Sequence, residues 1–567
     1  MIHAPPDTSP EAAGRELADL PIFADLSPVD RAALVSSSRV VELAAGQWLF
    51  HQGEPTDGLY VVRSGRLEVL QGGALINELG RGAILGELGL LTGAARSASV
   101  RARRDAQLLR LSRDEFDAIT VAHPGVLRTM AATVAGMLQA IAPATVHRPR
   151  ATVVTVLGAD PEAPVEPVER ALVTELRRTL RVECPGRVDG VGLERAELAS
   201  ERVVLSCPSG MDLDDGGWRS FCLRQSDRLI VVASSGVASG GGLRPAPADG
   251  PNARTDLLLV GPSPGAEELE RWQRWIGPGR VQLVGDPSTL PSRARALARR
   301  IAGRSVGLVL GGGGARAFTH IGVIDELARR GVEIDRVAGT SLGAWVGACF
   351  ASGMDADTIA GWGLREFVRR NPYADYTLPR HALCRGTRTS RALARCLGEG
   401  TVEELPVEFA CVSVDLLARR AVTHRSGSVV DAVHASLSLP VLYPPHRVGG
   451  RLHVDGGLID NLPVAALADP PEGPIIAVNV ITDTAEPSAR EGPALPPLGE
   501  TLMRSIMLAS STAGLRAQER ADLVIRPDTR GVGLLEFDQL ARMRAVGRDA
   551  ARSALERDGA ALEGLGC

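Results

Sequence analysis

Lysine is absent from this chain, and all 63 basic side chains among its 567 residues are arginine. A phosphate-binding P-loop needs the lysine of its Gly-Lys-Ser/Thr ending to reach the phosphate oxygens. Pyridoxal enzymes need a lysine to form a Schiff base with their cofactor. The absence of this one residue type therefore excludes both classes of protein.

Clustered cysteines, long apolar runs and excess charge are also missing. The eight cysteines show no C-x-x-C spacing, so we expect buried reduced thiols and no metal site. No run of ~20 apolar residues and no apolar leader occurs, which predicts a cytoplasmic protein without a signal peptide or transmembrane segment. Peripheral contact with a membrane surface is compatible with this. The net charge of −4 predicts no nucleic-acid partner.

Three regions differ in their patterning, which predicts a multidomain fold. Residues 15–142 show short β-type runs split by glycine turns, typical of a β-barrel or jelly-roll-like domain, and then a helical stretch. That helix either packs on its own barrel or forms the seam of a homodimer. Residues 151–302 and 304–556 alternate β-runs with helical patterns, which predicts two α/β domains. The middle one is Rossmann-like, and no motif assigns it a role beyond that of a spacer.

The barrel region contains a segment, 86–99, with groups that bind phosphate. A short helix that opens at Gly86 would present backbone N–H groups to an anion, and the Arg96 guanidinium can donate two hydrogen bonds to phosphate oxygens. Glu87 can accept from a ribose hydroxyl, and Ser97 can donate to the phosphate. The alternative is a barrel without a ligand, in which Arg96 and Glu87 form a structural ion pair.

Two glycine-rich turns follow apolar runs in the C-terminal region. Residues 311–316 read Gly-Gly-Gly-Gly-Ala-Arg and offer N–H groups at a helix start, where negative charge is stabilised. Residues 339–343 read Gly-Thr-Ser-Leu-Gly, a form that holds Ser341 on a strained turn with its hydroxyl exposed. Acyl transfer needs at least a nucleophile and an adjacent site that stabilises an anion.

The first turn also fits part of a dinucleotide-binding fingerprint. Gly312-x-Gly314-x-x-Ala317 follows a strand, and Asp335 lies near the spacing of an acid that binds ribose. A dinucleotide-dependent oxidoreductase is therefore an alternative as long as this first turn is considered alone.

A third element favours the hydrolase. Asp455 ends an apolar run and is followed by Gly456 and Gly457, which let the backbone turn sharply and bring the carboxylate close to another loop. There the carboxylate could orient and deprotonate Ser341. A Ser–His–Asp triad through the nearby His453 is the less favoured alternative.

The glycine turn, G-x-S-x-G and D-G-G, in that order over about 305–466, resemble the signature of patatin-like phospholipases. The resemblance implies a serine esterase or lysophospholipase that needs no catalytic cofactor and cleaves lipid or other acyl esters through a Ser–Asp dyad. Ala317 replaces the glycine that usually follows the arginine, which removes no N–H group. The implied roles are nucleophile for Ser341, base for Asp455, oxyanion donors for Gly313 and Gly314, support of that turn for Gly312 and Arg316, and motif glycines at Gly339, Gly343, Gly456 and Gly457.

The barrel segment resembles the phosphate cassette of cyclic-nucleotide-binding domains, because its glutamate, arginine and glycines fall at that family's spacing. The resemblance implies that Glu87 holds the ribose 2′-hydroxyl and Arg96 the cyclic phosphate, with Gly86, Leu88 and Ser97 beside them. Ser97 favours cyclic AMP over cyclic GMP. One such module ahead of a patatin-like domain resembles the neuropathy-target-esterase branch, which implies a hydrolase regulated by a cyclic nucleotide. The alternative is a catalytically silent nucleotide receptor or lipid-binding module.

Overall fold

The computed structural model describes residues 29, 37–122, 153–208, 217–236, 254–276, 280–468, 471–481, 510 and 513–558. The chain divides into two compact units, residues 1–281 and 282–567. The helix predicted after the barrel and the linker that follows it lie outside the described residues. The domain bounds drawn from the sequence therefore stay predictions.

The first part of the N-terminal unit is a pair of antiparallel four-stranded sheets. Its strands and helices are β1 (Arg39–Leu43), β2 (Trp48–Phe50), β3 (Gly58–Ser64), β4 (Leu67–Gln71), β5 (Ala74–Leu79), β6 (Ile84–Leu85), α1 (Glu87–Thr92), β7 (Ser99–Ala102), β8 (Ala106–Ser112) and α2 (Arg113–Ala122). The sheet orders are β1-β8-β3-β6 and β2-β7-β4-β5. Both sheets contribute side chains, Phe50 and Leu108 among them, to one shared core, as expected when two half-buried sheets face each other.

The second part of this unit is a six-stranded, mainly parallel sheet with helices between most of its strands. Its elements are β9 (Val153–Gly158), α3 (Val165–Leu176), β10 (Val182–Glu183), α4 (Gly190–Ala199), β11 (Arg202–Cys207), α5 (Trp218–Gln225), β12 (Arg228–Ser234), β13 (Arg254–Val260), α6 (Ala266–Ile276) and β14 (Arg280–Val284). The strand order is β10-β11-β9-β12-β13-β14, and the division between the two units falls within β14. Strand β9 is buried along its whole length, as parallel strands covered on both faces are.

The C-terminal unit is a larger α/β layer structure. Its elements are α7 (Leu290–Ile301), β15 (Gly307–Leu310), a 3₁₀ turn (Gly314–Phe318), α8 (Thr319–Arg329), β16 (Arg336–Thr340), α9 (Leu342–Ala351), α10 (Ala356–Gly363), a π-helical turn (Leu364–Arg369), α11 (Thr387–Leu397), β17 (Glu408–Asp415), β18 (Arg420–His424), α12 (Val429–Leu437), β19 (His446–Val448), β20 (Arg451–Asp455), α13 (Ala465–Ala468), β21 (Ile475–Val478), β22 (Leu523–Ile525) and α14 (Leu540–Asp558). Among the helices described in either unit, none combines the length and the apolar character needed to cross a bilayer.

The strand order of this unit places the two glycine turns side by side. The order is β19-β20-β17-β16-β15-β21-β22. The last five strands in this order, β17, β16, β15, β21 and β22, are parallel to one another. The carboxyl ends of β15 and β16 therefore meet at one edge of the sheet, where loops of α/β proteins form their sites. Strand β20 runs antiparallel to β17, with Asp455 opposite Ser413 and one position beyond the pairing of Thr340 with Val412. Three strand ends thus converge at this edge.

Helix α8 packs against α14 through two glycines. A Cβ atom added to Gly322 would lie 1.9 Å from the Arg544 carbonyl oxygen, and one added to Gly547 would lie 1.9 Å from the Thr319 carbonyl oxygen. Real Cβ atoms do not approach backbone oxygens so closely, so glycine is required at both positions. This contact matters to the site because α8 continues directly from the 3₁₀ turn that carries Gly314.

We predict that Gly322→Ala destabilises the C-terminal unit by about 2 kcal/mol, since the overlap outweighs the better helix propensity of alanine. Gly361→Ala is the matched control, because Gly361 also lies in a helix but faces open space. The control should be neutral or stabilise by up to about 1 kcal/mol. Unfolding in urea measures both variants, and an equal effect of the two would contradict this account of the packing.

Candidate active site

Ser341 lies on the turn between β16 and α9, in a backbone conformation that side-chain-bearing residues rarely adopt. Its φ is 55° and its ψ is −129°. Such strain costs on the order of 1–3 kcal/mol and persists only when the surroundings enforce it. Here they do, because a Cβ on Gly339 would meet the Gly343 carbonyl oxygen at 2.6 Å and one on Gly343 would meet the Leu310 carbonyl oxygen at 2.4 Å. The helix start is therefore pressed against two strand ends.

Asp455 is brought to Ser341 from 114 residues further along the chain. The Ser341 hydroxyl donates to Oδ2 of Asp455 over 2.7 Å. The other carboxylate oxygen, Oδ1, accepts from the Gly457 N–H over 2.7 Å. Gly456 has no room for a side chain, since a Cβ would lie 2.2 Å from the Val412 carbonyl oxygen. Both predicted residues of the D-G-G motif thus serve to place the carboxylate.

The environment of Asp455 prepares it to take up a proton. Its side chain is buried, which raises its pKa to about 6, although the hydrogen bonds from Ser341 and Gly457 act in the opposite direction. Burial disfavours the charged carboxylate, so its affinity for a proton increases. A base with a pKa near neutrality can both accept and return a proton during one catalytic cycle.

The glycine turn after β15 lies directly against the serine. A Cβ on Gly312 would come within 3.2 Å of the Ser341 Cβ. The Gly312 N–H is already used, because it donates to the Asn461 carbonyl oxygen over 3.0 Å. The N–H groups of Gly313 and Gly314 make no hydrogen bond to another described residue. Two backbone donors are therefore available to an anion beside Ser341.

Arg316 ties this turn to a loop near the end of the chain. Its Nε donates to the Val532 carbonyl oxygen over 2.7 Å, and the neighbouring Ala315 N–H donates to the Leu534 carbonyl oxygen over 2.8 Å. Gly314 has a φ of 54°, and a Cβ there would lie 2.1 Å from the Leu534 carbonyl oxygen. The predicted supporting role of Arg316 is thus compatible with its contacts.

Two residues that the sequence does not single out hold this site together. The Ser436 hydroxyl accepts from the Ser341 N–H over 2.8 Å and donates to the Val412 carbonyl oxygen over 2.7 Å. The Asn461 side-chain amide donates to the Gly312 carbonyl oxygen over 3.0 Å. Ser436 comes from α12, and nothing in its sequence neighbourhood signals the contact. Asn461 follows the D-G-G motif closely, and its proximity to that motif is the only signal available.

The histidines near the motifs bond elsewhere. His453 Nδ1 lies 2.8 Å from the Ser413 hydroxyl oxygen, and His320 Nε2 lies 2.7 Å from the Gly311 carbonyl oxygen. Burial lowers the pKa of His320 to about 4, so its ring is neutral. Neither ring contacts Ser341, which leaves the aspartate as its hydrogen-bond partner.

The structure also separates the groups of the dinucleotide alternative. Asp335 precedes β16, so it lies at the amino edge of the sheet, whereas the glycine turn lies at the carboxyl edge. Its carboxylate is engaged there, accepting from the Arg299 Nε over 3.0 Å and the Val306 N–H over 2.8 Å. It cannot bind the ribose of a nucleotide seated on the glycine turn.

The second predicted site lies in the N-terminal unit, between β3, α1 and β7. Arg96 is buried, and its guanidinium carbon lies 4.0 Å from the centre of the Phe50 ring. Its Nη2 donates to the Asp57 carboxylate and, over 3.0 Å, to the Gly58 carbonyl oxygen. Its Nε and Nη1 have no hydrogen-bond partner among the residues that the structure describes. A buried guanidinium with two unused donors is costly unless an acceptor arrives.

The other predicted residues surround Arg96. Gly86 has a φ of 83°, and a Cβ there would overlap Arg96 Nη1. Glu87 begins α1, and burial raises its pKa, whereas the charge of Arg96 acts against that rise. The alternative ion pair between Arg96 and Glu87 is not formed, because Asp57 is the described carboxylate that pairs with the arginine. Ser97 is exposed, and the Leu88 side chain lies outside the described part of the structure.

Fold and sites together define a patatin-like hydrolase domain joined to a cyclic-nucleotide-binding module. The model of the patatin-like phospholipase family matches residues 308–468, and the model of the cyclic nucleotide-binding domain matches residues 40–123. An N-terminal domain of a transcriptional regulator from Streptomyces coelicolor is 30% identical, over 22% of this chain and 92% of that one, with a TM-score of 0.20.

Relatives that match over nearly the whole length identify the family. An NTE family protein of Mycobacterium bovis is 37% identical over 95% of this chain and 96% of its own length. A lysophospholipase NTE1 of Coccidioides immitis is 27% identical over 91% of this chain and 40% of its own length. The chain belongs to the NTE family. The predicted family, the multidomain fold class and the class of enzyme, a lipid ester hydrolase, are thereby confirmed.

The pKa of Asp455 predicts how activity depends on pH. A general base must be ionised, so kcat/KM for a soluble ester should be constant above pH ~7 and fall about tenfold per pH unit below about 6. Initial rates between pH ~4.5 and ~8.5 measure this, with circular dichroism as the control for unfolding in acid. A profile without an acidic limb while the protein stays folded would contradict the assignment of Asp455 as the base.

Proposed function

We propose that this protein is a serine esterase or lysophospholipase that hydrolyses acyl esters through Ser341 and Asp455, without a histidine. The observation that carries the proposal is the 2.7 Å hydrogen bond from the Ser341 hydroxyl to a buried carboxylate, on a strained turn beside two unused N–H groups. These are the parts that acyl transfer needs: a nucleophile, a base and an oxyanion site.

The geometry supports a two-step reaction. Asp455 takes the proton of the Ser341 hydroxyl while the oxygen attacks the ester carbonyl, and the N–H groups of Gly313 and Gly314 stabilise the resulting oxyanion. The protonated aspartate then gives its proton to the departing alcohol, which leaves an acyl group on Ser341. The same carboxylate then takes a proton from a water molecule, whose oxygen attacks the acyl carbonyl carbon. The bond between that carbon and the Ser341 oxygen breaks, Asp455 returns the proton to the serine oxygen, and the fatty acid leaves. Each missing oxyanion donor would cost ~10²–10³ in rate.

Kinetics of three variants test the dyad. Ser341→Ala and Asp455→Asn should each lower kcat for a short acyl ester by about 10⁴-fold or more, since members of such a unit fail together. Ser352→Ala is the control, because Ser352 lies at the other end of α9 and its hydroxyl, among the described residues, bonds only to the Ala348 carbonyl oxygen. It should keep the parental rate. Retained activity in either dyad variant would refute the mechanism, and an inactive parental protein would favour a silent receptor instead.

We also propose that the N-terminal module binds a cyclic nucleotide, with cyclic AMP preferred, as a regulatory ligand of the hydrolase. The support is the buried Arg96 with two unused donors, next to the partly buried Glu87 at the start of α1. A cyclic phosphate offers the acceptors that Nε and Nη1 lack, and Glu87 offers an acceptor to a ribose hydroxyl. Binding would then replace an unfavourable buried state by a paired one.

Calorimetric titration with cyclic AMP and cyclic GMP tests this second proposal. Arg96→Ala should weaken nucleotide binding by about 100-fold, because two charge-assisted hydrogen bonds are lost. Arg101→Ala is the matched control on strand β7, since Arg101 pairs with Glu68 and lies over the Trp48 ring. It should bind like the parental protein. Equal affinity of the parental and Arg96→Ala proteins, or no binding by either, would refute the proposal.

A further inference from the structure

A stretch of the C-terminal unit is unusually basic. Between Tyr376 and Gly398 the sequence contains five arginines and no aspartate or glutamate, whereas the whole chain carries slightly more acidic than basic residues. The stretch comprises a hairpin-like loop, 376–384, and helix α11. Neither proposed site uses any of these residues.

The loop exposes large apolar side chains. Its two arms are joined by the pairing of Tyr376 with Cys384 and by the Thr377 N–H, which donates to the Leu383 carbonyl oxygen over 2.9 Å. The Leu383 N–H donates in turn to the Val441 carbonyl oxygen over 2.8 Å, which holds Val441 next to the loop. The exposed fractions are 86% for Leu378, 71% for Tyr376, 45% for Val441 and 43% for Leu383. Single exposed apolar residues are ordinary, but four on one short structure indicate a binding surface.

Helix α11 adds positive charge next to the loop. Arg388, Arg391 and Arg395 follow a spacing of three and four residues, so they share one face of the helix. They line a cavity of about 250 Å³ together with Arg370 and one carboxylate, Glu366. Glu366 pairs with Arg370 and Arg395. Among the described residues, no carboxylate lies within ion-pair distance of the guanidinium group of Arg388 or of Arg391. The cavity therefore has a net positive charge.

This surface is joined to the candidate active site. Asp375, at the base of the loop, accepts from the Arg388 N–H over 3.1 Å and thereby links the loop to the start of α11. The Ser390 hydroxyl oxygen of α11 lies 3.0 Å from His434 Nδ1 on α12. Helix α12 also carries Ser436, whose hydroxyl accepts the hydrogen bond from the Ser341 N–H. Tyr373 lies just before the loop. Its pKa is raised mainly by burial and, to a smaller extent, by the negative charge of Asp455. A lipid held here would lie close to the dyad.

We propose that residues 376–395, together with Val441, form a docking surface for an anionic membrane. The exposed apolar side chains of the loop enter the acyl boundary, and the arginines of α11 bind lipid phosphates. Each arginine near an anionic bilayer strengthens binding about fivefold. The apolar side chains distinguish this surface from one for nucleic acid, which offers no apolar layer to Leu378. The inference rests on the proposed hydrolysis of lipid esters and identifies where that substrate is met.

Sedimentation with lipid vesicles tests the docking surface, using full-length Ser341→Ala protein so that binding is measured without hydrolysis. Vesicles of equal parts phosphatidylglycerol and phosphatidylcholine should bind the protein, and vesicles of phosphatidylcholine alone should bind it at least tenfold more weakly. Adding Arg388→Gln and Arg391→Gln together should weaken binding about 25-fold. Adding Leu378→Ser instead should weaken it about tenfold.

The control removes the same charge elsewhere. Arg329 on α8 and Arg557 on α14 have exposed side chains paired with neighbouring carboxylates, so Arg329→Gln with Arg557→Gln should leave vesicle binding unchanged. An equal loss in this control, or no loss in the Arg388/Arg391 pair, would overturn the proposal. Undiminished binding by Leu378→Ser would assign the surface to a polyanion and also overturn it. Because hydrolysis of a soluble ester is measured separately on the parental protein, failure of docking and failure of catalysis are distinguishable.

Discussion

The backbone of Ser341 is the constraint on which the rest of the site depends. A φ of 55° aims its hydroxyl out of the sheet edge, and the chain would relax from this conformation if its neighbours allowed it. Gly339 and Gly343 let the helix start pack onto two strand ends, while Ser436 accepts the Ser341 N–H and prevents that amide from turning away. Strain at one residue is thus offset by packing contributed from β15, β16 and α12. The same contacts leave the hydroxyl in reach of Asp455.

The proposed catalytic dyad and the proposed docking surface for lipid lie on neighbouring but different parts of the C-terminal unit. Asp455 is buried and Ser341 is half-buried, and burial raises the pKa of Asp455 to about 6. A nearby arginine would lower that pKa and weaken the base. The arginines of the proposed docking surface lie instead on α11 and in the loop before it. There solvent screens their charge, and an anionic membrane surface can bind them. Positive charge can therefore attract a lipid phosphate without disabling the base.

Much of this site could be predicted from sequence because its demands on the backbone are local. A positive φ, a close approach of backbones and a carboxylate at a strand end each leave a visible trace in the glycines of G-x-S-x-G and D-G-G. Ser436 and Asp57 leave none, because serine and aspartate are ordinary residues and their partners lie 95 and 39 positions away. The fold also decided against the dinucleotide alternative, since only the strand order shows that Asp335 lies at the opposite edge. Spacing along the chain could not reveal that.

The most direct test of the central claim is to identify the residue that reacts with a fluorophosphonate. Such reagents phosphonylate a serine only when its hydroxyl is activated and an oxyanion site holds the new P–O group. Mass spectrometry of the digested full-length protein should find the adduct on the peptide that contains Ser341, and Asp455→Asn should slow its formation by orders of magnitude. An adduct on another serine, or ester hydrolysis that continues with Ser341 unmodified, would contradict the account.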